Sequence, residues 1–324
     1  MSDVFEQFTS LQPATSNTEF EALRLSGNRT DYLAKGHDGS PVFLLQDAKT
    51  GQYHPSLQLR YLTAEFQLAC RLHTDGEEVE DVFALVSCTA EEQEPHELFI
   101  RSFDAARIQL TGGAYTEEIK RTVQNLASLF RAFSKPSQRS ITGLWAELFT
   151  ITRSGSVLEA MKMWRADAFD RFDFSTPDRV VEIKATIGQL RLREFSLEQL
   201  SVPANGTGFV VSILLQSISG GASVLELIST IETSIAAEPK MREKLWTNVT
   251  SGLGSDFSAS LDRRFDSSYA DRNLTVFLME NIPKRVTSND PRVTAIRFLA
   301  DCTGLQSSAA DSSSDGVQAT FQVA

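Results

Sequence analysis

The chain has little of what most often carries chemistry. Among 324 residues there are three cysteines and four histidines. Cys70, Cys88 and Cys302 are scattered, and no two form a Cys-x-x-Cys pair. That excludes a zinc knuckle or a disulfide framework and suits a reducing cytoplasm. His37, His54, His73 and His96 all fall in the first third, without a His-x-x-x-His pair, so histidine is not expected at the functional centre. No apolar run approaches the roughly 18 residues that a membrane helix needs. The opening "MSDVFEQFTSLQPATSN" lacks the basic-then-apolar order of a signal peptide. A cytoplasmic protein with no membrane partner is expected. Gly-x-Gly-x-x-Gly, Gly-x-x-x-x-Gly-Lys-Ser/Thr and Gly-x-Ser-x-Gly are all missing, which argues against a dinucleotide site, a P-loop and a nucleophile elbow.

Positive charge is also short. The net charge is −11, a balance that argues against a protein coating nucleic acid. The deficit is uneven. Residues 1–130 hold 10 Lys and Arg against 20 Asp and Glu, and residues 194–324 hold 10 against 15. Residues 131–193 hold 11 against 7 and form the one positive block.

What is there reads as two domains. Residues 1–18 are expected to be a flexible arm. Residues 19–112 are expected to form a mostly antiparallel β domain, with strands at "SPVFLLQ", "LQLRYLTAEFQLACRLH", "DVFALVSC" and "HELFIRSF". The acidic "TDGEEVED" between two of them reads as a solvated hairpin tip rather than a metal loop or a DNA mimic. Residues 113–138 supply a connecting helix, with Ile119, Val123, Leu126, Leu129 and Phe130 at helical spacing, followed by a linker. Residues 139–305 alternate helices and strands, which predicts an α/β domain with a mixed sheet flanked by helices. "GFVVSILLQSI" within it is apolar enough to be a strand buried on both faces. Residues 306–324, rich in Ser, Ala and Asp, are expected to be a flexible tail.

The stretch "RFDFSTPDRVVEIKAT" is the most informative. Pro-Asp is a turn dipeptide, so two short apolar strands around it make a hairpin. If the turn centres on Pro177–Asp178, facing residues have numbers that sum to 355. Asp173 then faces Glu182, with Cβ atoms roughly 4.5–5.5 Å apart, close enough to share a cation. Asp178 is left to shape the bend. Glu182 and Lys184 share one face of their strand, and charges in so apolar a strand need a partner or a metal. In "GLWAELFTI", Glu147 lies on the stripe made by Leu144, Leu148 and Ile151. A carboxylate there wants a cation, either a metal or an arginine. In "REFSLEQL", Ser196 can cap a short helix that carries Gln199, whose amide could bond a phosphate or the lysine, or simply face water.

"GLWAELF", "RFDF", "VVEIKAT" and "REFSLEQL", in that order, resemble the bacterial PD-(D/E)XK motif family, restriction-endonuclease-like proteins associated with restriction and phage-defence gene clusters. "VFLMENIPKRV" and "RVTAIRFLADC" resemble its closing strands. The resemblance implies a restriction-endonuclease fold and a metal-dependent DNA endonuclease working with partner proteins, or a silent nuclease-fold scaffold in such a complex. It implies Mg²⁺, with Mn²⁺ as a substitute, held by Asp173, Glu182 and Glu147. Lys184 would activate the attacking water, with Gln199 in support. Arg171, Arg191 and Arg193 are the residues expected to touch duplex DNA. Two departures stand out: Phe172, not proline, precedes Asp173, and Arg193 stands where relatives often carry histidine.

Overall fold

The computed structural model describes residues 4–47, 54–58, 61–74, 76–89, 93–112, 116–132, 140–166, 170–204, 206–253, 263–284, 296–307, 317–318 and 320–321. The chain divides into two compact units, Met1–Lys135 and Pro136–Ala324.

The first unit begins with a helix, α1 (Val4–Ser10), followed by strands β1 (Glu19–Arg24), β2 (Tyr32–Lys35), β3 (Pro41–Gln46), β4 (Leu57–Gln58), β5 (Leu62–Thr74) and β6 (Glu77–Cys88). They form one sheet in the order β1-β2-β3-β6-β5-β4, and β1 also pairs with β5 in parallel. Five strands therefore close on themselves, which removes two exposed edges. The inward residues are apolar at every second position, among them Leu62, Ala64, Cys70 and Leu72 of β5. Thr74 faces Glu77 across a tight turn in which Gly76 has φ +82°, so the acidic run does form a hairpin tip.

Two expectations for this unit fail. The arm is not free: Phe8 and Ala14 are buried, Pro13 bridges to Lys35, and the Lys35 ammonium lies 5.0 Å from the Phe8 ring centre. "HELFIRSF" is not a strand but part of α2 (Gln93–Arg107). Its aromatic and branched residues suit a strand by propensity, but Phe99 and Phe103 are four apart. Their rings stack at 5.6 Å and both pack on Phe43 of β3. Burying both on one side requires the helical period, and Pro95 sits in the first turn, where its missing N–H costs nothing. Helix α3 (Thr116–Ala132) follows, with Ile119 and Val123 buried. The side chains of Leu126, Leu129 and Phe130, and the linker at 134–139, lie outside what is described.

The second unit opens with α4 (Ile141–Arg153), capped by Ser140, and α5 (Val157–Met163), capped by Ser156. Strands β7 (Phe174–Ser175), β8 (Arg179–Ile187) and β9 (Leu192–Ser196) lead through a 3₁₀ turn at Glu198–Leu200 to β10 (Thr207–Leu215) and β11 (Ser217–Ala222). Then come α6 (Val224–Ser234), α7 (Pro239–Leu253), α8 (Ser267–Arg272), β12 (Leu274–Leu278) and β13 (Arg297–Asp301). The main sheet is mixed, in the order β12-β10-β8-β7, with β10 parallel to β8 and antiparallel to β12. A parallel β8–β10 pair needs the long crossover that residues 188–206 supply. Strands β9 and β13 pair as a separate two-stranded ribbon.

The ribbon and the sheet share one core, built from Val180, Val210, Phe195, Leu200, Phe277 and Ala300. Helix α4 packs on β8, α6 and α7, and Trp145 donates its indole N–H to the Ala222 carbonyl at 2.9 Å. The capping box of Ser223 and Glu226 fixes the start of α6, and Pro239 at the first position of α7 separates the two helices. The expected flexible tail is also partly corrected. Residues 308–316 lie outside the described set, but Val317, Thr320 and Phe321 are buried, with the Phe321 ring edge-on to Phe174 at 5.1 Å. Among the described residues no helix is long and apolar enough to cross a membrane.

Candidate active site

The site is built where the hairpin, α4 and the 3₁₀ turn meet. Phe174 pairs with Val181 and Ser175 with Val180, the register in which numbers sum to 355. Carried one step further, that register sets Asp173 opposite Glu182. Asp178 stays at the bend, where its Oδ1 accepts from the Thr176 hydroxyl at 2.7 Å. Asp173 is buried, and its Oδ2 accepts the Ile183 backbone N–H at 2.7 Å.

Glu182 is buried as well. Its Oε1 lies 2.9 Å from the Lys184 ammonium and accepts from the Gln199 amide at 2.5 Å. Gln199 is aimed from the 3₁₀ turn. The Ser196 hydroxyl accepts the Gln199 N–H at 3.2 Å, and Gln199 Oε1 accepts the Ser196 N–H at 3.0 Å and a longer contact of 3.4 Å from Lys184. This reciprocal cap spends both polar ends of Gln199 inside the protein. The other oxygen of Glu182, Oε2, is buried without a hydrogen-bond partner among the described residues. Burial, and then the Asp173 carboxylate, push the Glu182 carboxyl up to about 8, although Lys184 and Arg165 pull the other way.

Glu147 occupies the buried stripe of α4, but the three carboxylates do not form one oxygen cage. Among the described residues no group of three or more His, Cys, Asp or Glu could hold a metal ion. The cation at Glu147 is Arg165. Its Nη2 donates to Glu147 Oε1 at 2.6 Å and also to Asp173 Oδ1, while Glu147 Oε2 accepts the Trp164 indole N–H at 2.8 Å. Glu147, expected in the metal shell, meets an arginine in this structure. Both its oxygens are engaged, as are both of Asp173, where Oδ1 accepts from Arg165 and Oδ2 from the Ile183 N–H. Burial alone would lower the Arg165 pKa. The carboxylates of Asp173, Glu147 and Glu182 outweigh it and hold the guanidinium above its ordinary value.

Arg165 had no signature in the sequence beyond the demand of Glu147 for a cation. Local chain geometry brings it in. Trp164 ends α5 and bridges to Phe174, the Arg165 N–H donates to the Asp173 carbonyl at 2.9 Å, and Asn248 donates to the Arg165 carbonyl at 2.8 Å.

The three arginines expected to touch DNA are placed otherwise. Arg193 is buried, and donates to Ser212 Oγ at 3.0 Å and to the Ile213 carbonyl at 3.0 Å. Arg191 donates to the carbonyls of Ser212 and Asn273, each at 2.7 Å. Together they staple the β9–β13 ribbon to β10. Burial and the neighbouring Arg191 push Arg193 down to about 10. Arg171 is exposed, but its donors go to the Glu198 and Ser201 carbonyls, which ties the hairpin to the 3₁₀ turn. A guanidinium spent on main-chain carbonyls has few donors left for phosphate.

The donor set still fits one divalent cation. Asp173 and Glu182 offer hard carboxylate oxygens, and the unsatisfied Glu182 Oε2 is the acceptor that a cation would complete. A mixed sheet carrying an aspartate near Glu-x-Lys, with a helix that buries a glutamate beside it, is consistent with a nuclease-like fold class. Residues 4–301 match the model of family DUF4420, described as "Putative PD-(D/E)XK family member". The chain belongs to that family. No curated protein and no solved structure matches it.

Proposed function

We propose that the second unit is a Mg²⁺-dependent DNA endonuclease, with Mn²⁺ as a substitute metal, serving a bacterial restriction or phage-defence system together with partner proteins. The observation that carries this reading is the pair Asp173 and Glu182 beside Lys184, with Glu182 Oε2 buried and unsatisfied. Asp173 and Glu182 would hold the ion, whose chemistry is to lower the pKa of a bound water and to offset charge on the phosphate. Lys184 does the chain's own part. Its ammonium, 2.9 Å from Glu182, orients the attacking water and places a positive charge where the phosphorane oxygens develop negative charge. Gln199 holds Glu182 and Lys184 in that arrangement. The system and its partners rest on the family resemblance.

The test is cleavage of duplex DNA by wild type, Asp173→Ala and Lys184→Ala, each with Mg²⁺ and with EDTA. Cleavage that is lost in both variants and in EDTA supports the reading. Equal cleavage by all three proteins overturns it.

A second reading is a nuclease-fold subunit that assembles without cutting. Its support is the acidic surplus over residues 1–130, 20 Asp and Glu against 10 Lys and Arg, which suits a protein partner better than DNA. If Asp173→Ala abolishes phage protection and leaves the complex assembled, this second reading fails.

A further inference from the structure

The carboxylate cluster holds more fixed positive charge than a metal site of three acids would need. Glu147, Asp173 and Glu182 are all buried, and Arg165 and Lys184 are in ion-pair contact with them. With Glu182 ionised, as a bound cation requires, three carboxylates against two fixed cations leave a single surplus negative charge. One divalent ion turns that surplus into a single positive charge, which one phosphodiester then neutralises. Two divalent ions would leave a buried excess that one phosphodiester cannot balance, and such uncompensated charge is strongly disfavoured in a low-dielectric interior.

Geometry gives the same count. One Arg165 nitrogen sits between Glu147 Oε1 and Asp173 Oδ1, in the position that a bridging cation would take. It is anchored there. The Arg165 N–H and carbonyl are bonded to Asp173 and Asn248, the side chain is 10% exposed, and Trp164 holds the far oxygen of Glu147. A guanidinium fixed at both ends of its own peptide unit, with partners on each side, is a built part of the site.

We infer that Arg165 is the resident cation of this site. It fills the position between Glu147 and Asp173, so the site takes a single divalent ion, at Asp173 and Glu182. Glu147 is then a positioning residue that acts through Arg165 and does not touch the metal. The inference rests on the metal-dependent reading above and adds the number of ions and the division of labour among the acids.

The experiment is Mn²⁺ binding to the full chain, followed by the electron paramagnetic resonance of free Mn²⁺ and by calorimetry. Wild type is expected to bind one Mn²⁺. Glu147→Gln should still bind one, with an affinity within about threefold of wild type, whereas Glu182→Gln should lose about tenfold or more. Arg165→Lys keeps one cation in place and should bind one Mn²⁺. Arg165→Gln removes one fixed cation, so a single Mn²⁺ leaves the cluster neutral; it should bind one Mn²⁺ at least about threefold more tightly than wild type. A purely structural arginine would lower the melting temperature in both Arg165 variants and change the affinity in neither.

Two Mn²⁺ in wild type, or a Glu147→Gln affinity weaker by about tenfold, overturns the inference and leaves the metal-dependent reading standing. No Mn²⁺ binding at all overturns the metal-dependent reading, and the inference with it. Should Arg165→Gln fail to fold, wild type and Glu147→Gln still decide.

Discussion

Each unit buries a cluster of ionised side chains, and the two clusters are built differently. In the first unit Arg29 and Arg107 meet Asp31 and Asp104, two cations against two anions. Most of their remaining donors go to main-chain carbonyls, although Arg107 Nε is buried without a partner among the described residues. Arg29 reaches Thr111 at 2.9 Å and Gln46 at 2.5 Å, Arg107 reaches Ser26 at 3.0 Å, and Asp31 also accepts the Gln46 N–H at 3.1 Å. In the second unit three acids meet two cations, and a carboxylate oxygen is left over. A charge-balanced network whose donors mostly end on the backbone pins loops together. A network with a surplus charge and an unmet acceptor is held at a cost that folding alone does not reward, and such sites are where function is found.

That contrast can be broken by substitution. The largest effect is expected from Asp31→Ala, which strands the buried Arg29 guanidinium and should cost about 3–5 kcal/mol in urea unfolding. Cleavage per folded molecule should stay at the wild-type rate. A loss of specific activity with unchanged stability would show that the first cluster is no mere brace.

Next in size is Lys184→Ala. It should slow cleavage by about 10²–10³-fold, equivalent to roughly 3–4 kcal/mol in the barrier, while the melting temperature moves little. A large drop in melting temperature with an unchanged rate would reverse the contrast.

A smaller effect concerns pH. The Glu182 carboxyl is raised from its ordinary 4.5 to about 8, so the metal-free folded state binds more protons than the unfolded chain between those values. Its contribution to stability is present below about pH 4.5 and is lost as pH rises towards 8. The melting temperature of EDTA-treated protein should therefore fall across that window, and Glu182→Gln should flatten the fall. Mg²⁺ should offset it, since a bound cation favours the carboxylate form. An unchanged slope in Glu182→Gln would mean that burial is not what loads this group.

The smallest effect is the control. Arg297 and Glu194 pair at 3.3 Å on the exposed ribbon, where solvent screens the attraction. Arg297→Ala should leave both melting temperature and cleavage unchanged, and a measurable loss of cleavage there would place the ribbon surface in the function.

Much of the site could be read from local patterns, because local rules govern it. A Pro-Asp turn sets a hairpin register, and the register places Asp173 opposite Glu182 without any knowledge of the rest of the chain. Glu147 lies on the buried stripe because helical spacing puts it there, and Ser196 caps the turn of Gln199 three residues on. Patterns failed where two periods compete or where a partner is distant in sequence. "HELFIRSF" has strand propensity, and only the chance to bury Phe99 and Phe103 together against Phe43 makes it helical. Arg191 and Arg193 look like phosphate ligands on a positive segment. Their partners, Ser212, Ile213 and Asn273, are some 20 to 80 residues away, and nothing near them in sequence announces those carbonyls.

The sequence by itself determined that this chain carries a hairpin with an acid opposite Glu-x-Lys, a helix with a glutamate on its apolar stripe before it and a capped glutamine after it. Spacing and turn chemistry act over a few residues, and these features need no more. The identity of the cation at Glu147 was decided only by the tertiary structure. A buried carboxylate states a need for positive charge, and a metal and an arginine meet that need equally well on paper. The packing of Trp164 against the hairpin, with Asn248 holding the next peptide, brings Arg165 within reach of both Glu147 and Asp173. Electrostatics in an interior depends on what is nearby in space, and that choice was made by the fold.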